Sequence, residues 1–210
     1  MDLNEISLLV QKGNAKKVKE LVNLALEENI DPEEILNQGL IAAMGEVGIK
    51  FKNNEIYVPE MLIAARAMSA GMQILEPILT ASGVKPIGIA VIGTVKGDLH
   101  DIGKNLVRMM LKGAGIEVHD IGVDVSAEAF ANKAEEVGAK IVCLSALLTT
   151  TMPAMKEIID EFTKRGIRDK YTFMIGGAPI TTNYAKEIGA DHYTPDAATA
   201  AEVAKSLLVS

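Results

Sequence analysis

Hydrophobic positions along the chain follow two different periods, one in each half. In the first half, Leu21, Leu24 and Ala25 form one apolar face that gives way to a polar one at Glu28, which is helical spacing. After residue 86, short apolar runs alternate with helical segments instead. We therefore predict a helical N-terminal half and a C-terminal half that mixes strands with helices.

Four helices are predicted in the first half from their start signals. Asp2 and Asn14 can cap the first two, and Asp31 followed by Pro32 is a stronger start signal for the third. Pro59 opens the fourth helix. The connections between them are short, which favours a four-helix bundle.

The second half reads as five strand–helix units. The predicted strands are 87–95, 116–122, 140–148, 172–177 and a short one at 192–194. The helices that follow them are 103–113, 126–137, 152–165, 181–189 and 197–208. Strict alternation indicates a flavodoxin-like or Rossmann-like five-stranded parallel sheet with helices on both faces. We expect a helical domain over 1–83 and an α/β domain over 86–210, with a linker at 82–86.

Composition narrows the function classes. The formal net charge is −7 and no Lys/Arg-rich run is present, which argues against nucleic-acid binding. The apolar runs have about the length of strands, so no membrane association is expected. The N-terminus lacks the basic start and apolar core of a signal peptide, which predicts a cytoplasmic protein. Cys143 lies in a predicted buried strand and reads as structural.

The segment from Gly97 to Gly103 is the most informative one for chemistry. It follows a predicted strand and places Asp98 two residues before His100, so that both side chains would point the same way in an extended segment. A carboxylate that accepts from one imidazole nitrogen leaves the other free for a metal or a proton. The alternative is a surface turn before a helix capped by Asp101.

Other polar and glycine-rich clusters also follow predicted strands. They are the hydroxyl-rich segment 145–151, Gly176-Gly177-Ala178-Pro179, and Thr194-Pro195-Asp196-Ala197. Such residues can hold phosphates or polar rims, although ordinary turns and helix caps use the same residue types. No dinucleotide-binding or P-loop glycine spacing occurs. A divalent-ion site at Asp98, His100 and Asp101, and a Ser145-based hydrolase, are weaker alternatives.

Three blocks of the chain resemble the B12-binding module of cobalamin-dependent methionine synthase and of methanogen and acetogen corrinoid proteins. The family signature is DxHxxG, then SxL, then GG. The chain carries Asp98-x-His100-x-x-Gly103, Ser145-Ala-Leu147 and Gly176-Gly177 in that order. The segment 51–68 also looks like the helical cap that precedes the module in methyl-transferring members. The resemblance thus covers essentially the whole chain.

The resemblance implies a cobalamin or related corrinoid, cycling between methyl-Co(III) and Co(I), as the cofactor. His100 would be the metal ligand and would replace the cofactor's own lower base. Asp98 would bind the other imidazole nitrogen, and Thr151 would complete the relay. Asp98, His100 and Thr151 are therefore the expected catalytic residues.

The same resemblance implies where the rest of the cofactor would lie. The displaced nucleotide tail would run along the sheet, and Phe51 and Val58 would cover the methyl-bearing face, although both could equally be bundle core. Asn37 stands where methionine synthase has a carboxylate, so the cap contacts differ there. The remaining implied binding residues are Gly97, Asp101, Gly103, Ser145, Leu147, Thr149, Gly176, Gly177 and Ala197.

By resemblance, the chain is expected to be a methyl-carrier subunit of a methyltransferase system rather than a stand-alone enzyme. Its partners would be a substrate-specific methyltransferase, a second methyltransferase acting on a thiol or tetrahydrofolate-type acceptor, and a reductive activator. Methanol, methylamines, methoxylated aromatics and glycine betaine all remain open as donors. A B12-dependent regulator is the alternative function, and a radical mutase subunit ranks below it because the cap is of the methyl-transfer type.

Overall fold

The polypeptide separates into two compact units in the computed structural model, which describes residues 2–83 and 85–209. One unit comprises Met1–Pro86 with Gly113–Gly115, and the other comprises Ile87–Lys112 with Ile116–Ser210. Val84, in the middle of the predicted linker 82–86, lies outside the described residues, as do positions 1 and 210 at the outer ends of the two predicted domains.

The first unit is helical, as the 3.6-residue period predicts. Asp2, Asn14 and Asp31 each accept a backbone N–H of the helix they precede. The segments are α1 Leu3–Gln11, α2 Ala15–Glu27, α3 Pro32–Glu34, α4 Ala42–Lys52 and α5 Val58–Ala81. A π-helical stretch, Ile35–Ile41, joins α3 and α4 into one continuous helix, so the described residues of this unit form four separate helices.

Small residues allow the helices of this unit to approach closely. A Cβ on Gly71 of α5 would lie 2.9 Å from Cδ2 of Leu40 and 3.2 Å from Cγ1 of Val18 on α2. Leu40 and Val18 are fully buried. A larger side chain at position 71 would therefore force these helices apart.

Helix α5 is the one helix among the described residues that is long and apolar enough to cross a membrane. Its 24 residues have a mean hydropathy of 1.2 in the most apolar window, of which 44% is buried inside the protein. No apolar stretch of that length was expected from the sequence, because Glu60, Arg66 and Glu76 interrupt the run. The buried residues of α5, such as Met61 and Leu75, make it a core helix of the bundle.

The second unit is the predicted five-stranded, all-parallel sheet with helices between the strands. Its strands are β1 Ile89–Thr94, β2 Glu117–Asp120, β3 Ile141–Ser145, β4 Thr172–Gly176 and β5 His192–Tyr193. Its helices are α6 Ile102–Gly113, α7 Ala127–Val137, α8 Pro153–Lys164, α9 Thr182–Ile188 and α10 Ala197–Val209. A cluster of aliphatic side chains with Phe130, Phe162 and Phe173 fills the core on one face of the sheet.

The strand order, β2-β1-β3-β4-β5, creates a switch point between β1 and β3. The chain leaves β1 toward β2 on one side and then returns to β3 on the other. The loops after β1 and β3 therefore diverge at the carboxyl edge of the sheet, which is where open α/β sheets bind ligands.

The third predicted strand, 140–148, was too long. The observed strand ends at Ser145, and Leu147 and Leu148 are about 40% exposed. Their hydrophobic character extended the apolar run, but their backbone N–H groups leave the sheet and bind a carboxylate instead. The first predicted strand, 87–95, shortens to 89–94 in the same way at both ends.

Candidate functional site

The two loops at the switch point are joined by the carboxylate of Asp98. This side chain is fully buried. Its Oδ2 accepts hydrogen bonds from the N–H groups of Leu147 at 2.8 Å and Leu148 at 3.2 Å, and from Oγ1 of Thr151 at 2.8 Å. One oxygen of a residue after β1 thus holds three donors of the loop after β3.

The other oxygen of Asp98 holds His100. Nδ1 of His100 lies 2.7 Å from Oδ1 of Asp98. An ionised carboxylate can only accept, so the proton is on Nδ1 and, in the neutral ring, Nε2 carries the lone pair. The His100 side chain is 52% exposed, and no residue within 2–83 or 85–209 forms a hydrogen bond with Nε2. The imidazole therefore turns Nε2 outward, and in the neutral ring this nitrogen is an acceptor without a partner among the described residues.

The pairing of Asp98 with His100 arises differently from the sequence expectation. The two residues do not lie in an extended strand. Instead, the His100 backbone N–H also donates to Oδ1 of Asp98 at 3.1 Å, so the carboxylate closes a tight turn on its own chain. The i, i+2 spacing still brings the groups together, but by a side-chain turn.

Hydrogen bonding controls the charge on Asp98. Burial by itself would raise the pKa of this carboxyl group. The donors at Leu147, His100 and Thr151 outweigh burial and hold its pKa well below the ordinary value. Asp98 is therefore a permanent anion beside the imidazole at any pH near neutrality.

A buried ion pair anchors the helix that follows His100. Lys104, only 3% exposed, binds both oxygens of Asp120 at the end of β2, at 2.6 and 2.5 Å. Arg108 adds a contact of 2.8 Å to the same carboxylate. These contacts fix the start of α6 against the neighbouring strand. They lower the pKa of Asp120, against the effect of its burial.

The glycines of the site differ in what requires them. Gly97 has φ +82°, a left-handed conformation that favours glycine. A Cβ on Gly177, at φ +139°, would lie 1.8 Å from the carbonyl oxygen of Ala146, so no side chain fits. At Gly103 a Cβ would meet no protein atom within 4 Å. The fold therefore favours glycine at position 97 and excludes a side chain at position 177, whereas it leaves open space at Gly103.

Comparison with known proteins agrees with this geometry. Models of B12 binding domains match residues 88–204 and residues 3–76. The dimethylamine corrinoid protein 3 of Methanosarcina acetivorans is 42% identical over 207 residues, covering 99% of this chain and 97% of that protein. The chain belongs to the family of B12-binding corrinoid proteins.

Solved structures show the same fold over nearly the whole chain. The crystal structure of a cobalamin-binding protein from Desulfitobacterium hafniense superimposes with a TM-score of 0.81 at 30% identity, covering 98% of each chain. A methanol:cobalamin methyltransferase complex from Methanosarcina barkeri contains a chain that matches with a TM-score of 0.88 at 29% identity. The match covers 97% of this chain and 78% of that one. The cofactor of this corrinoid protein is accordingly of the cobalamin type.

The surroundings of His100 fit a corrinoid. Because Asp98 engages Nδ1, the outward-facing Nε2 is the nitrogen left to bind a metal in the neutral ring. Leu99 and Ile102, on either side of His100 and Asp101, are 70% and 75% exposed, which is unusual for large apolar side chains and suits a broad apolar ring system. Gly103 leaves room beside them.

The alternative of a divalent ion held by the protein alone is not favoured. Among the described residues, no group of three or more His, Cys, Asp or Glu side chains is arranged to hold a metal ion. Asp98 is fully engaged, and the carboxylate of Asp101 accepts from the Asn105 side chain at 3.0 Å. A single protein ligand, as for a metal that arrives in a macrocycle, suits the site better.

The remaining predicted residues fall into two groups. In the α/β unit, Ser145 ends β3 beside Gly176 of β4, Thr149 is exposed in the loop after β3, and Ala197 is the buried first residue of α10.

In the helical unit, Phe51 lies on α4 and Val58 begins α5, both half-buried. Asn37 is exposed within the π-helical stretch.

Sequence reasoning missed several contacts that shape the site, although Leu147 itself was expected as part of the SxL block. The N–H groups of Leu147 and Leu148 gave no signal, because any residue supplies a backbone donor. Thr94 is fully buried, and its Oγ1 donates to the carbonyl oxygen of His100 at 2.9 Å. A hydroxyl at the end of an otherwise apolar strand was the signal that could have identified it.

Proposed function

We propose that this corrinoid protein carries a methyl group on the cobalt of its bound cofactor between two methyltransferases. The supporting observation is the pair of Asp98 and His100, in which Asp98 engages Nδ1 and leaves Nε2 facing outward at the switch point. A zinc site would need further protein ligands, and no group of three or more His, Cys, Asp or Glu side chains among the described residues is arranged to supply them. An axial ligand needs only this nitrogen. When bound, the corrinoid supplies a metal that can accept and release a methyl group.

In this proposal His100 ligates cobalt through Nε2, in place of the cofactor's own lower base. Asp98 holds the Nδ1 proton and keeps the imidazole in one tautomer and one orientation. Thr151 and the two leucine amides hold the Asp98 carboxylate in turn. The donor strength of the imidazole is thereby set by a network that spans both loops.

The displaced nucleotide tail of the cofactor would lie along the carboxyl edge of the sheet. Gly103, Ser145, Leu147, Thr149, Gly176, Gly177 and Ala197 are the residues assigned to it, with Gly97 and Asp101 at its start. The half-buried end of β3 at Ser145 and the open space at Gly103 support this assignment. Residues 86–210 would form the binding domain.

Residues 1–83 would act as a cap over the methyl-bearing face. Phe51 and Val58 are the apolar residues assigned to this role, and both are half-buried in the helical unit. An apolar cover excludes water from the carried group until a partner displaces it.

The partners would be a substrate-specific methyltransferase, an acceptor methyltransferase acting on a thiol or tetrahydrofolate-type compound, and a reductive activator, all in the cytoplasm. The names of the relatives make methylated amines the first donors to test, because the dimethylamine corrinoid protein matches at 42% identity. The methanol system matches at 29%.

A carrier can be tested by loading and unloading it. The apoprotein is reconstituted with aquocobalamin, freed of excess by gel filtration, reduced and charged with isotopically labelled methyl iodide. It is then mixed with extract of the source cells and, in turn, with a thiol or a tetrahydrofolate-type acceptor. Transfer of the label to one acceptor supports the proposal. Failure to retain a corrinoid, or label that stays on the protein with every acceptor, contradicts it.

A further inference from the structure

A residue outside the B12 signature holds the backbone of the Asp98 loop. Asp124 lies in the loop after β2, between Gly122 and α7. Its Oδ1 accepts the N–H of Gly97 at 2.7 Å, and its own N–H donates to the carbonyl oxygen of Asp98 at 3.0 Å. Through these two contacts, the loop after β2 holds the segment Gly97–Asp98 at the N–H of its first residue and at the carbonyl oxygen of its second.

The backbone of Asp124 is in the left-handed region, with φ +54°. A non-glycine residue is strained there, although aspartate tolerates it better than most. Two residues earlier the chain does use a glycine, Gly122, at φ +91°. Glycine at 124 would relieve the strain, but it would remove the acceptor for the Gly97 N–H.

The position of the Asp98 backbone determines where its carboxylate points. Both oxygens of Asp98 are engaged in directional hydrogen bonds, one with His100 and one with the loop after β3. Thr94 fixes the far end of the segment at the carbonyl oxygen of His100. Asp124 fixes the near end. A loop held at both ends keeps the carboxylate within hydrogen-bond reach of Nδ1.

We propose that Asp124 is a positioning residue that, through the backbone of Gly97 and Asp98, aligns the Asp98 carboxylate with His100. The contact acts on the imidazole in the protein without cofactor as well as with it. Its importance for cobalt ligation rests on the proposed function, whereas its effect on the imidazole does not.

Asp124→Gly separates positioning from stability. It removes the carboxylate and relieves the left-handed strain, while the lost hydrogen bond and the greater freedom of glycine in the unfolded chain act in the opposite direction, so the urea midpoint should change little. Asp124→Asn retains an acceptor oxygen and tolerates the same backbone conformation, so it should restore wild-type behaviour. Asn29→Gly is the matched control. Asn29 lies in the helical unit with φ +59°, so its replacement by glycine relieves the same kind of strain without changing the site.

The first readout is the tautomer ratio of His100, measured by ¹⁵N NMR on the protein without cofactor at one mildly alkaline pH. We expect Asp124→Gly to lower the ratio of Nδ1–H to Nε2–H by about fivefold or more, the effect of weakening one hydrogen bond. Asp124→Asn and Asn29→Gly should stay within about twofold of the wild type. An unchanged ratio in Asp124→Gly, or an equal fall in Asn29→Gly, would overturn the proposal.

The second readout is the absorbance spectrum after reconstitution with aquocobalamin and reduction to Co(II). We expect Asp124→Gly to shift the population from the His-ligated toward the unligated form, and Asp124→Asn to restore it. A wild-type protein that binds no corrinoid would refute the proposed function but would leave the NMR result valid. A wild-type spectrum in Asp124→Gly would overturn the role of Asp124 in ligation.

Discussion

Nδ1 of His100 lies 2.7 Å from Oδ1 of Asp98, and Oδ2 of the same carboxylate lies 2.8 Å from Oγ1 of Thr151. One fully buried anion therefore connects an exposed imidazole to a hydroxyl that lies 53 residues after Asp98 in sequence. The connection crosses the switch point of the sheet between β1 and β3. Any change at Asp98 should affect both loops together.

Asp98 should make the stability of the cofactor-free protein depend on pH. Its pKa is lower in the folded protein than in the unfolded chain, where it is about 4. The stabilisation by the carboxylate is therefore complete above that value and is lost as the pH falls toward the folded pKa. Asp98→Asn should cost about 2–3 kcal/mol at pH 7, the scale of hydrogen bonds to a charged group.

Urea denaturation of both proteins at a series of pH values measures this difference. It should be constant between about pH 8 and 5 and should shrink below about pH 4. A difference that grows as the pH falls would mean that the sign of the folded-state pKa shift is wrong.

Lys104 should be important for stability because its charge is buried. Lys104→Met leaves Asp120 with only Arg108 as a cationic partner, which should cost about 2–4 kcal/mol in the free energy of unfolding. The matched control is Lys156→Met, which breaks the exposed pair with Asp160 on α8 and should change stability by about 0.5 kcal/mol or less. Equal urea midpoints for the two variants would contradict the structural role of Lys104.

Gly103 distinguishes a requirement of the ligand from a requirement of the fold. Because its Cβ position is empty, Gly103→Ala should leave the stability of the cofactor-free protein unchanged or raise it by up to about 1 kcal/mol. The methyl group should nevertheless weaken the retention of aquocobalamin, since it fills space assigned to the cofactor. Equilibrium dialysis of the folded variant measures this.

Gly177→Ala is the contrasting variant, because its Cβ would overlap the carbonyl oxygen of Ala146. It should destabilise the cofactor-free protein by about 2 kcal/mol or more. If Gly103→Ala bound cobalamin like the wild type, the assignment of Gly103 to the cofactor would be wrong.

The sequence predicted the order and type of the elements well, because the period of the apolar positions changes sharply after residue 86. The predicted ends of the strands were least accurate where an apolar side chain belongs to a residue whose backbone N–H leaves the sheet. Leu147 and Leu148 are apolar and lengthened the predicted third strand, yet their amides turn to Asp98. The π-helical stretch at Ile35–Ile41 could not be distinguished from an α-helix, because a single short stretch of i→i+5 hydrogen bonds has no residue signature of its own.

Contacts of the site between residues close in sequence could be predicted, whereas contacts between residues far apart in sequence could not. Asp98 and His100 are two residues apart, so their contact could be expected from spacing alone. Thr151 could be chosen from its hydroxyl-rich segment only through the family resemblance. The contacts of Asp124 and Lys104 depend on which loops become neighbours in the sheet, and that is a property of the strand order.

Electron paramagnetic resonance of the Co(II) state tests the central claim most directly. The protein is labelled with ¹⁵N-histidine, reconstituted with unlabelled cobalamin and reduced. Ligation by His100 predicts that the axial nitrogen splitting changes from a triplet to a doublet on labelling. The doublet should disappear in His100→Gln and persist in His119→Gln, which disrupts only the exposed pair with Glu117. A triplet that labelling leaves unchanged would show that the cofactor's own base remains on cobalt, and would contradict the account.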